Sequence, residues 1–351
     1  IAEVAPGGFE KVFFTNGGAD ANENAVRMAR IVTGKRKVLS MYRSYHGNTT
    51  TAITLTGDPR RWANEPGDGS VAHFFGPYPY RSAFHSDSPE QETARALEHL
   101  EQTIVLEGAS TIAAVIIESI VGTNGVLIPP PGYLAGVREL CDRYGILWIA
   151  DEVMVGFGRV GEWFAFQAFD AVPDLITFAK GVNSGYVPLG GVVISDRIAA
   201  HFDTVAFPGG LTYSGHPLAC AAGVATFEVF ARDGILERVR DLGARVVAPR
   251  LAAMAERHPS VGDVRGMGLF WAIELVRDRE TREPLVPFNA AGQDAAPVAA
   301  VAAACKKQGV WPFTHFNRLH VAPPLVIGEA DLVRGLDVID HALDTADEFA
   351  A

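Results

Sequence analysis

Short apolar runs alternate with stretches of helical periodicity through the first two thirds of the chain. The runs have the length of β-strands, and the stretches between them repeat their hydrophobic residues as amphipathic helices do. The predicted strands are Lys11–Thr15, Val38–Met41, Ala113–Glu118, Ile146–Asp151, Leu175–Phe178 and Gly191–Ser195. The predicted helices are Asp20–Thr33, Glu90–Glu107 and Gly132–Tyr144. This order predicts an α/β fold, and the nearly continuous apolar runs indicate a mostly parallel sheet that is covered on both faces.

The composition of the chain changes after a predicted helix at His216–Phe230. From about Ile235 onward, arginine-rich helical patterns alternate with short strands. Two of these predicted strands are Gly268–Leu275 and Arg318–Val321. We therefore expect two domains, a large one over residues 1–235 and a smaller α+β domain over residues 236–351.

Three chemically useful side chains stand at the ends of predicted strands, namely Glu118, Asp151 and Lys180. In an open α/β sheet, ligands bind beyond the carboxyl ends of the strands. A strand-end lysine is usually a surface residue, but the flanks of Lys180 are unusually apolar. An ammonium held away from water loses its proton more easily and can then form a Schiff base with an aldehyde. Pyridoxal phosphate is the leading candidate for that aldehyde, with Asp151 as the acidic partner of its pyridine nitrogen.

A glycine pair, Gly17 and Gly18, separates the first predicted strand from the helix that begins near Asp20. Glycines let the backbone approach an anion closely, and the free N–H groups at a helix start favour a phosphate. Most such pairs only make a turn, and Asp20 also fits an ordinary helix cap. Beside a Schiff-base lysine, we favour the phosphate interpretation.

Tyr45 and His46 follow the predicted strand Val38–Met41. An aromatic side chain at the exit of a strand can stack on a flat ring. The alternative is core packing for Tyr45 and a hydrogen-bonded structural role for His46, and the sequence leaves both interpretations open. Val153, two residues past Asp151, is the candidate for the other face of the ring.

Composition limits the class of protein. Hydrophobic residues make up 48% and charged residues 20% of the chain, which is typical of a soluble enzyme. The formal charge of −11 argues against nucleic-acid and membrane partners. The three cysteines, Cys141, Cys220 and Cys305, lack metal-ligand spacing, so we expect no metal site and a reducing compartment such as the cytoplasm. The chain starts at Ile1 without a methionine, so we expect a further N-terminal segment.

With these motifs assembled, the chain resembles the class III pyridoxal-phosphate-dependent aminotransferases, which have fold type I. The resemblance runs from about Val12 to Leu343, nearly the whole chain. The motifs that carry it are Gly17-Gly18-Ala19-Asp20-Ala21-Asn22-Glu23, Tyr45-His46-Gly47, Asp151-Glu152-Val153 with Gly156-Phe157-Gly158, Pro173-Asp174-Leu175 through Lys180-Gly181, and Gly210-Leu211-Thr212-Tyr213.

The resemblance implies a seven-stranded sheet, a homodimer with shared active sites, and ping-pong transfer of an amino group from an amine to a 2-oxo acid. In such an enzyme Lys180 holds the cofactor and then acts as the general base, while Asp151 keeps the pyridine nitrogen protonated. Thr212 would reach the phosphate bound by the neighbouring subunit. By analogy, Glu118 belongs to the hydrogen-bond network beneath the ring.

Two departures from the family pattern concern cofactor and pocket. Ala19 stands where the family usually has a hydroxyl residue. Backbone N–H groups and Thr212 are therefore expected to make more of the hydrogen bonds to the phosphate. Family members also carry a further N-terminal segment that contributes to the small domain and roofs the substrate pocket. Aromatic residues that select the substrate often lie in that segment, so substrate choice is the least defined part of the prediction.

Other departures concern the substrate. Members that act on ornithine or 4-aminobutyrate often have glutamine where Met154 stands, glutamate where Thr123 stands and arginine where His320 stands. Arg318 lies two residues before His320, so both side chains share one face of a strand and are candidates for a substrate acid group. The alternative is a surface arginine and a structural histidine. The pattern is closer to ω-aminotransferases that act on amines, β-amino acids or taurine-like amino-sulfonates, with pyruvate or 2-oxoglutarate as acceptor.

Two rival functions remain open at this point. The same electron-withdrawing cofactor serves epimerases, decarboxylases and lyases, and the fold does not choose between these reactions. A cofactor-free binding protein on the same fold is the other rival, although each position of the core motif that takes part in the chemistry has a suitable residue.

Overall fold

The computed structural model describes residues 1–350, which form two compact units. The first unit comprises residues 1–124, 129–158 and 162–233, and the second comprises residues 125–128, 159–161 and the chain from Gly234 onward. Two short segments of the second unit, residues 125–128 and 159–161, therefore lie within the sequence of the first, so a single boundary near residue 235 does not describe the division. Within residues 1–350, every helix is too short or too polar to cross a bilayer.

A seven-stranded sheet organises the first unit. Its strands are β1 (Lys11–Thr15), β2 (Lys37–Met41), β3 (Val71–Phe74), β4 (Ile112–Glu118), β5 (Leu147–Asp151), β6 (Leu175–Phe178) and β7 (Gly190–Ile194). They lie in the order β1-β7-β6-β5-β4-β2-β3, and β7 alone runs antiparallel to its neighbours. Strands β4 and β5 are buried at every position, so the prediction of a mostly parallel sheet covered on both faces is confirmed. Each large aliphatic side chain buried there stabilises the fold by about 1.5–3 kcal/mol.

The helices of the first unit are α1 (Gly18–Thr33), α2 (Thr50–Leu55), α3 (Pro89–Glu107), α4 (Tyr133–Tyr144), α5 (Asp196–Ala199) and α6 (Pro217–Arg232). Helix α1 ends at Gly34, whose φ of 69° is left-handed. Its small residues Ala21, Ala25 and Ala29 are fully buried in the same core as the sheet residues Ile149 and Val192. Small side chains on this face allow α1 to lie close against the sheet, which fixes the position of its first turn.

The six predicted strands of this sheet are confirmed, each with bounds within one residue of the prediction. The seventh, β3, was not predicted because His73 interrupts its short apolar run and only Phe74 of the strand is buried. It lacks the continuous apolar pattern of the other strands. It completes the sheet as a parallel neighbour of β2.

The second unit contains a five-stranded antiparallel sheet. Its strands are β8 (Val261–Met267), β9 (Phe270–Asp278), β10 (Glu283–Pro284), β11 (Phe313–His315) and β12 (Arg318–Val321). Its helices are α7 (Ile235–Leu242), α8 (Ala248–Arg257), α9 (Ala296–Lys307) and α10 (Glu329–Asp347).

The prediction of one strand at Gly268–Leu275 is wrong at its start, because Gly268 makes the turn of a hairpin between β8 and β9. Gly268 has a φ of 57°, and a Cβ there would lie 2.7 Å from the backbone of Val160. Only glycine fits this conformation and this contact. Strand β8 was not predicted, since two glycines and two charged residues interrupt its apolar pattern.

Candidate active site

The ends of strands β4, β5 and β6 bring the predicted polar residues together. Parallel pairing places Glu118 opposite Asp151, and Asp151 opposite Thr177, so these three side chains project from the same face of the sheet. Lys180 follows β6 two residues after its last position. A cavity of about 260 Å³ lies at this edge. It is lined by Gly18, Ala19, Asn22, Tyr45, His46, Gly47, Asn48, Glu118, Thr123, Asp151, Val153, Met154 and Lys180.

Lys180 lines the cavity, but its side chain is exposed. The expectation of an amine held away from water is therefore wrong for this chain. The residues of β6 are buried, but the backbone leaves the sheet at Lys180 with a φ of 43° and begins a short helical turn. The apolar flank thus belongs to the strand, and its burial ends before Lys180.

Asp151 is almost completely buried and accepts three hydrogen bonds. Asn22 Nδ2 and His46 Nδ1 donate to its Oδ2 over 2.8 and 2.7 Å. The backbone N–H of Val153 donates to its Oδ1 over 3.0 Å. Since a carboxylate only accepts, the proton of the neutral His46 ring lies on Nδ1. His46 Nε2 is buried and has no hydrogen-bond partner within residues 1–350.

Glu118 connects the loops that follow β2 and β4. Its carboxylate accepts the backbone N–H of Tyr45 over 2.8 Å and that of Gly122 over 2.8 Å. Burial raises the pKa of Glu118 to about 7, against the opposing influence of His46 and with a further rise from Asp151. Glu118 therefore positions Tyr45 at the cavity whichever protonation state it holds near neutral pH.

The glycine turn brings the first turn of α1 to the cavity. Gly17 is extended, with a φ of −178°, and Ala21 N–H donates to Gly17 O at the start of the helix. The N–H groups of the first turn have no partner within the helix itself. A Cβ on Gly18 would lie 2.7 Å from Val153 Cγ1, so glycine is needed for Val153 to pack there.

A second glycine makes a similar close approach on the other side of the turn. Gly47 has a φ of 130°, and a Cβ there would lie 2.5 Å from Ala19 Cβ. The small residue at position 19 and the glycine at position 47 therefore fit one another. The predicted residues Gly18, Ala19, Tyr45, His46 and Val153 thus all line one cavity.

Arg60, which the sequence analysis did not single out, contacts two of the residues that line the cavity. Its guanidinium carbon lies 3.6 Å from the centre of the Tyr45 ring, and its Nη2 donates to Thr123 Oγ1 over 2.9 Å. Its Nε also donates to Asp58 over 2.9 Å, and Asn124 donates to the same carboxylate. Burial alone would raise the pKa of Asp58, but the hydrogen bonds from Arg60 and Asn124 outweigh it and the pKa is lowered. Nothing in a local pattern indicated that Arg60 would stack on Tyr45.

The structure does not place every predicted residue at the cavity. Gly17 and Thr212 are not among the cavity-lining residues, and Thr212 is an exposed turn residue. Arg318 and His320 lie on β12, in the second unit, where Arg318 Nε is 3.3 Å from the buried carboxylate of Glu274. Burial lowers the pKa of His320 to about 3, and Arg318 adds to this effect. Both ring nitrogens of His320 lack hydrogen-bond partners within residues 1–350.

Glu152, next to Asp151, gives a pH dependence that can be measured. Its buried carboxyl accepts from Ser119 and from the N–H groups of Ala165 and Phe166. Burial raises its pKa from 4.5 to about 7 despite these bonds. Between these two pH values the folded chain holds a proton that the unfolded chain has released, so this contribution to the free energy of unfolding falls as the pH rises.

We expect Glu152→Gln to remove that contribution. The free energy of unfolding of the variant minus that of the wild type should rise by on the order of 1 kcal/mol from about pH 5 to about pH 7. Urea denaturation of both proteins at the two pH values measures the difference. A difference that is the same at both values contradicts the raised pKa.

The fold and the site define a pyridoxal-phosphate-dependent enzyme of fold type I. The chain belongs to the class III aminotransferase family, because the family described as Aminotransferase class-III matches residues 1–343. It is an enzyme of the transaminase class, which moves an amino group from an amine donor to a 2-oxo acid. The prediction of the family and of its cofactor is confirmed.

Known proteins similar to this chain carry related names. The solved taurine:2-oxoglutarate aminotransferase from Bifidobacterium kashiwanohense, in complex with pyridoxal phosphate and glutamate, is 44% identical with a TM-score of 0.95, over 100% of this chain and 78% of that one. The taurine–pyruvate aminotransferase of Bilophila wadsworthia is 35% identical over 97% of this chain and 77% of its own length. The putrescine–pyruvate aminotransferase of Pseudomonas aeruginosa is 39% identical over 81% of this chain and 63% of its own length.

The residues of the cavity fit the cofactor. The cavity combines an amine (Lys180), a buried carboxylate (Asp151) and an apolar side chain (Val153) that packs on Gly18. The unpartnered, buried Nε2 of His46 is a further polar atom at the same place. These are the groups that a flat aldehyde with a basic ring nitrogen requires.

Proposed function

We propose that Lys180 and Asp151 carry the chemistry of amino-group transfer in this cavity. Pyridoxal phosphate supplies an aldehyde and a ring that withdraws electrons from the substrate. Lys180 would hold the aldehyde through its amine, and the free amine would act as the base for the proton on the donor carbon that bears the nitrogen. The Asp151 carboxylate keeps a proton on the ring nitrogen. The observation that supports this most strongly is the meeting of both residues at one cavity from neighbouring strand ends.

The remaining cavity residues position the cofactor in this proposal. Val153 and the pair Tyr45 and His46 are assigned to the ring. The first turn of α1, with Gly17, Gly18 and Ala19, is assigned to the phosphate, since its free N–H groups favour an anion. Glu118 acts on Tyr45 through the backbone N–H that it accepts.

A homodimer with shared active sites is part of the same proposal. Thr212 lies in an exposed turn, and four large apolar side chains of the first unit are also exposed. They are Tyr186, Tyr213, Leu218 and Val224. Burial of this apolar surface against a second copy would stabilise a dimer, and Thr212 of the partner subunit would then reach the phosphate. We also propose a cytoplasmic location, in keeping with three cysteines that form no disulfide.

The donor is proposed to be an ω-amino acid, a β-amino acid or an amino-sulfonate, and the acceptor pyruvate or 2-oxoglutarate. The observation that supports an acidic donor is the placement of Arg60. Its side chain is 39% exposed, and its guanidinium stacks on Tyr45 and donates to Thr123, both of which line the cavity. Its Nη1 has no hydrogen-bond partner within residues 1–350 and is available to a carboxylate or sulfonate. The roles of Arg318 and His320 toward the same acid group stay predictions.

Arg60→Met tests the acidic donor. In single-turnover reactions of the holoenzyme without acceptor, we expect the kcat/KM for taurine and for β-alanine to fall about 10- to 100-fold, the worth of a hydrogen bond to a charged group. Propylamine, a neutral donor of similar length, is the matched control and should change less than about threefold. Equal losses for all three donors would show that Arg60 serves structure and not the recognition of an acid.

The same assay separates transamination from its rivals on this cofactor. Amino transfer without an acceptor stops after one turnover, and addition of pyruvate or 2-oxoglutarate restores continuous turnover. Continuous product formation without any acceptor would instead identify a lyase, a decarboxylase or an epimerase.

A further inference from the structure

A chain of buried hydrogen bonds runs from β6 through α1 to Asp151. Thr177 Oγ1 donates to Asn22 Oδ1 over 2.7 Å, and Asn22 Nδ2 donates to Asp151 Oδ2 over 2.8 Å. Asn22 Nδ2 also donates to the backbone oxygen of His46 over 2.7 Å. Thr177, Asn22 and Asp151 are exposed by 0%, 1% and 3% of their surface, so water cannot replace these bonds.

These contacts permit only one orientation of the Asn22 amide. Its NH₂ group faces two acceptors, the Asp151 carboxylate and the His46 carbonyl, and its oxygen faces the Thr177 hydroxyl. The competing acceptor for that hydroxyl, Ala150 O, is farther away, at 3.5 Å. A flipped amide would place an oxygen against the carboxylate and take the amide donor away from the buried His46 carbonyl, which is costly.

The sheet register explains why Thr177 can perform this task. Thr177 is the direct neighbour of Asp151 on the adjacent parallel strand, so both side chains point to the side on which α1 packs. Asn22 lies in α1 above the pair, one turn after the glycines. A β-branched residue with a hydroxyl suits a buried strand position and keeps few rotamers, which fixes the donor in place.

We propose that Thr177 and Asn22 are positioning residues that set the orientation of the Asp151 carboxylate toward the ring nitrogen of the cofactor. This inference rests on the role proposed for Asp151. The Thr177 hydroxyl helps to fix the direction of the amide, the amide donates to Oδ2, and His46 donates to the same oxygen. Preorganised donors of this kind act strongly in a dry site because they need no rearrangement during the reaction.

Loss of the Thr177 hydroxyl should therefore disturb the Asp151 carboxylate without preventing the cofactor from binding. Thr177→Val keeps the shape of the side chain and removes only the donor. Asn22 Oδ1 then lacks its donor, so only the two bonds from Nδ2 hold the amide and its orientation toward Asp151 is less firmly fixed. Thr177→Ser restores the hydroxyl and is the matched control.

The test uses the holoenzymes of wild type, Thr177→Val and Thr177→Ser. For Thr177→Val we expect the pH midpoint of the cofactor absorbance change to move by about one unit and kcat to fall about tenfold at nearly unchanged donor KM. Thr177→Ser should stay within about threefold of wild type in kcat, with an unmoved midpoint. Cofactor affinity of the apoproteins, from fluorescence quenching, gives a readout that does not depend on turnover, and it should fall for Thr177→Val alone.

The outcomes separate this inference from the function on which it rests. A Thr177→Val enzyme with the wild-type midpoint, kcat and cofactor affinity overturns it, and so does a Thr177→Ser enzyme as impaired as Thr177→Val. If Thr177→Val does not fold, Thr177→Ala removes the same hydroxyl with less bulk and replaces it in each comparison. Asp151→Asn is the reference. If Asp151→Asn has wild-type activity, the proposed function fails, whereas an inactive Asp151→Asn beside an unaffected Thr177→Val defeats only the positioning role.

Discussion

Lys180→Ala is expected to lower the kcat of transamination by at least about four orders of magnitude. One amine performs two tasks in the proposed mechanism: it holds the cofactor and it moves the proton. The two tasks occur in series, so loss of either stops the reaction. Lys180 is the one lysine among the residues that line the cavity, so none of the others replaces it. Steady-state assays with a saturating amine and 2-oxo acid measure the loss.

The fold should survive this change, since Lys180 is an exposed residue. Lys307→Ala, at the exposed end of α9, removes a lysine far along the chain and should leave kcat within about twofold of wild type. Added methylamine, a free amine, should restore part of the proton transfer to Lys180→Ala. A Lys180→Ala enzyme with more than about one hundredth of wild-type activity would contradict the assigned role.

Asp151→Asn should lower kcat by about two to three orders of magnitude, a loss comparable to removal of a preorganised charged partner. The substitution keeps the size of the side chain and its place beside Asn22 and His46, but it removes the negative charge that holds a proton on the ring nitrogen. The cofactor affinity of the apoprotein should fall as well. Both quantities are measured on the same preparation, by steady-state kinetics and by fluorescence titration.

Asp142→Asn is the control for this substitution. Asp142 lies on the exposed side of α4, where it pairs with Arg138, and surface pairs of this kind contribute little. Its kcat should equal that of wild type. If Asp151→Asn behaves like Asp142→Asn, then Asp151 does not act on the cofactor, and the site must be assigned differently.

Much of the fold follows from the apolar pattern of the chain. Runs such as Ile112–Glu118 are buried at every position because helices cover both faces of the sheet, and this environment demands an apolar residue at each step. Strands β3 and β8 lack that signature. His73 interrupts the first of them, and most positions of both are only partly buried, so their place in a sheet is set by neighbouring strands more than by their own sequence.

The site was predictable where one residue marks the end of a strand. Glu118 and Asp151 interrupt apolar runs and are therefore visible in the sequence, and the structure brings both to the cavity. The Lys180 side chain shows the limit of this argument. Its apolar neighbours precede it along β6, but burial of a strand does not determine the exposure of the first residue beyond it.

Arg60, Asn22 and Thr177 were missed for a different reason. Each acts through a partner that is distant in sequence, as with Thr177 and Asn22, which are 155 positions apart. An arginine beside a proline, an asparagine in a helix and a threonine in a strand are common local choices. Only the packing of α1 on the sheet, and of the segment after α2 on Tyr45, reveals their tasks.

The central claim is that the amine of one lysine, at the edge of the sheet beyond β6, holds the cofactor. Borohydride reduction of the holoenzyme fixes the cofactor permanently to the amine that carries it, and proteolysis with mass spectrometry then identifies the modified residue. We predict a single modified peptide, labelled at Lys180 and absent from Lys180→Ala. A label on any other lysine, or an unlabelled Lys180 in a protein that retains its cofactor, would contradict the account.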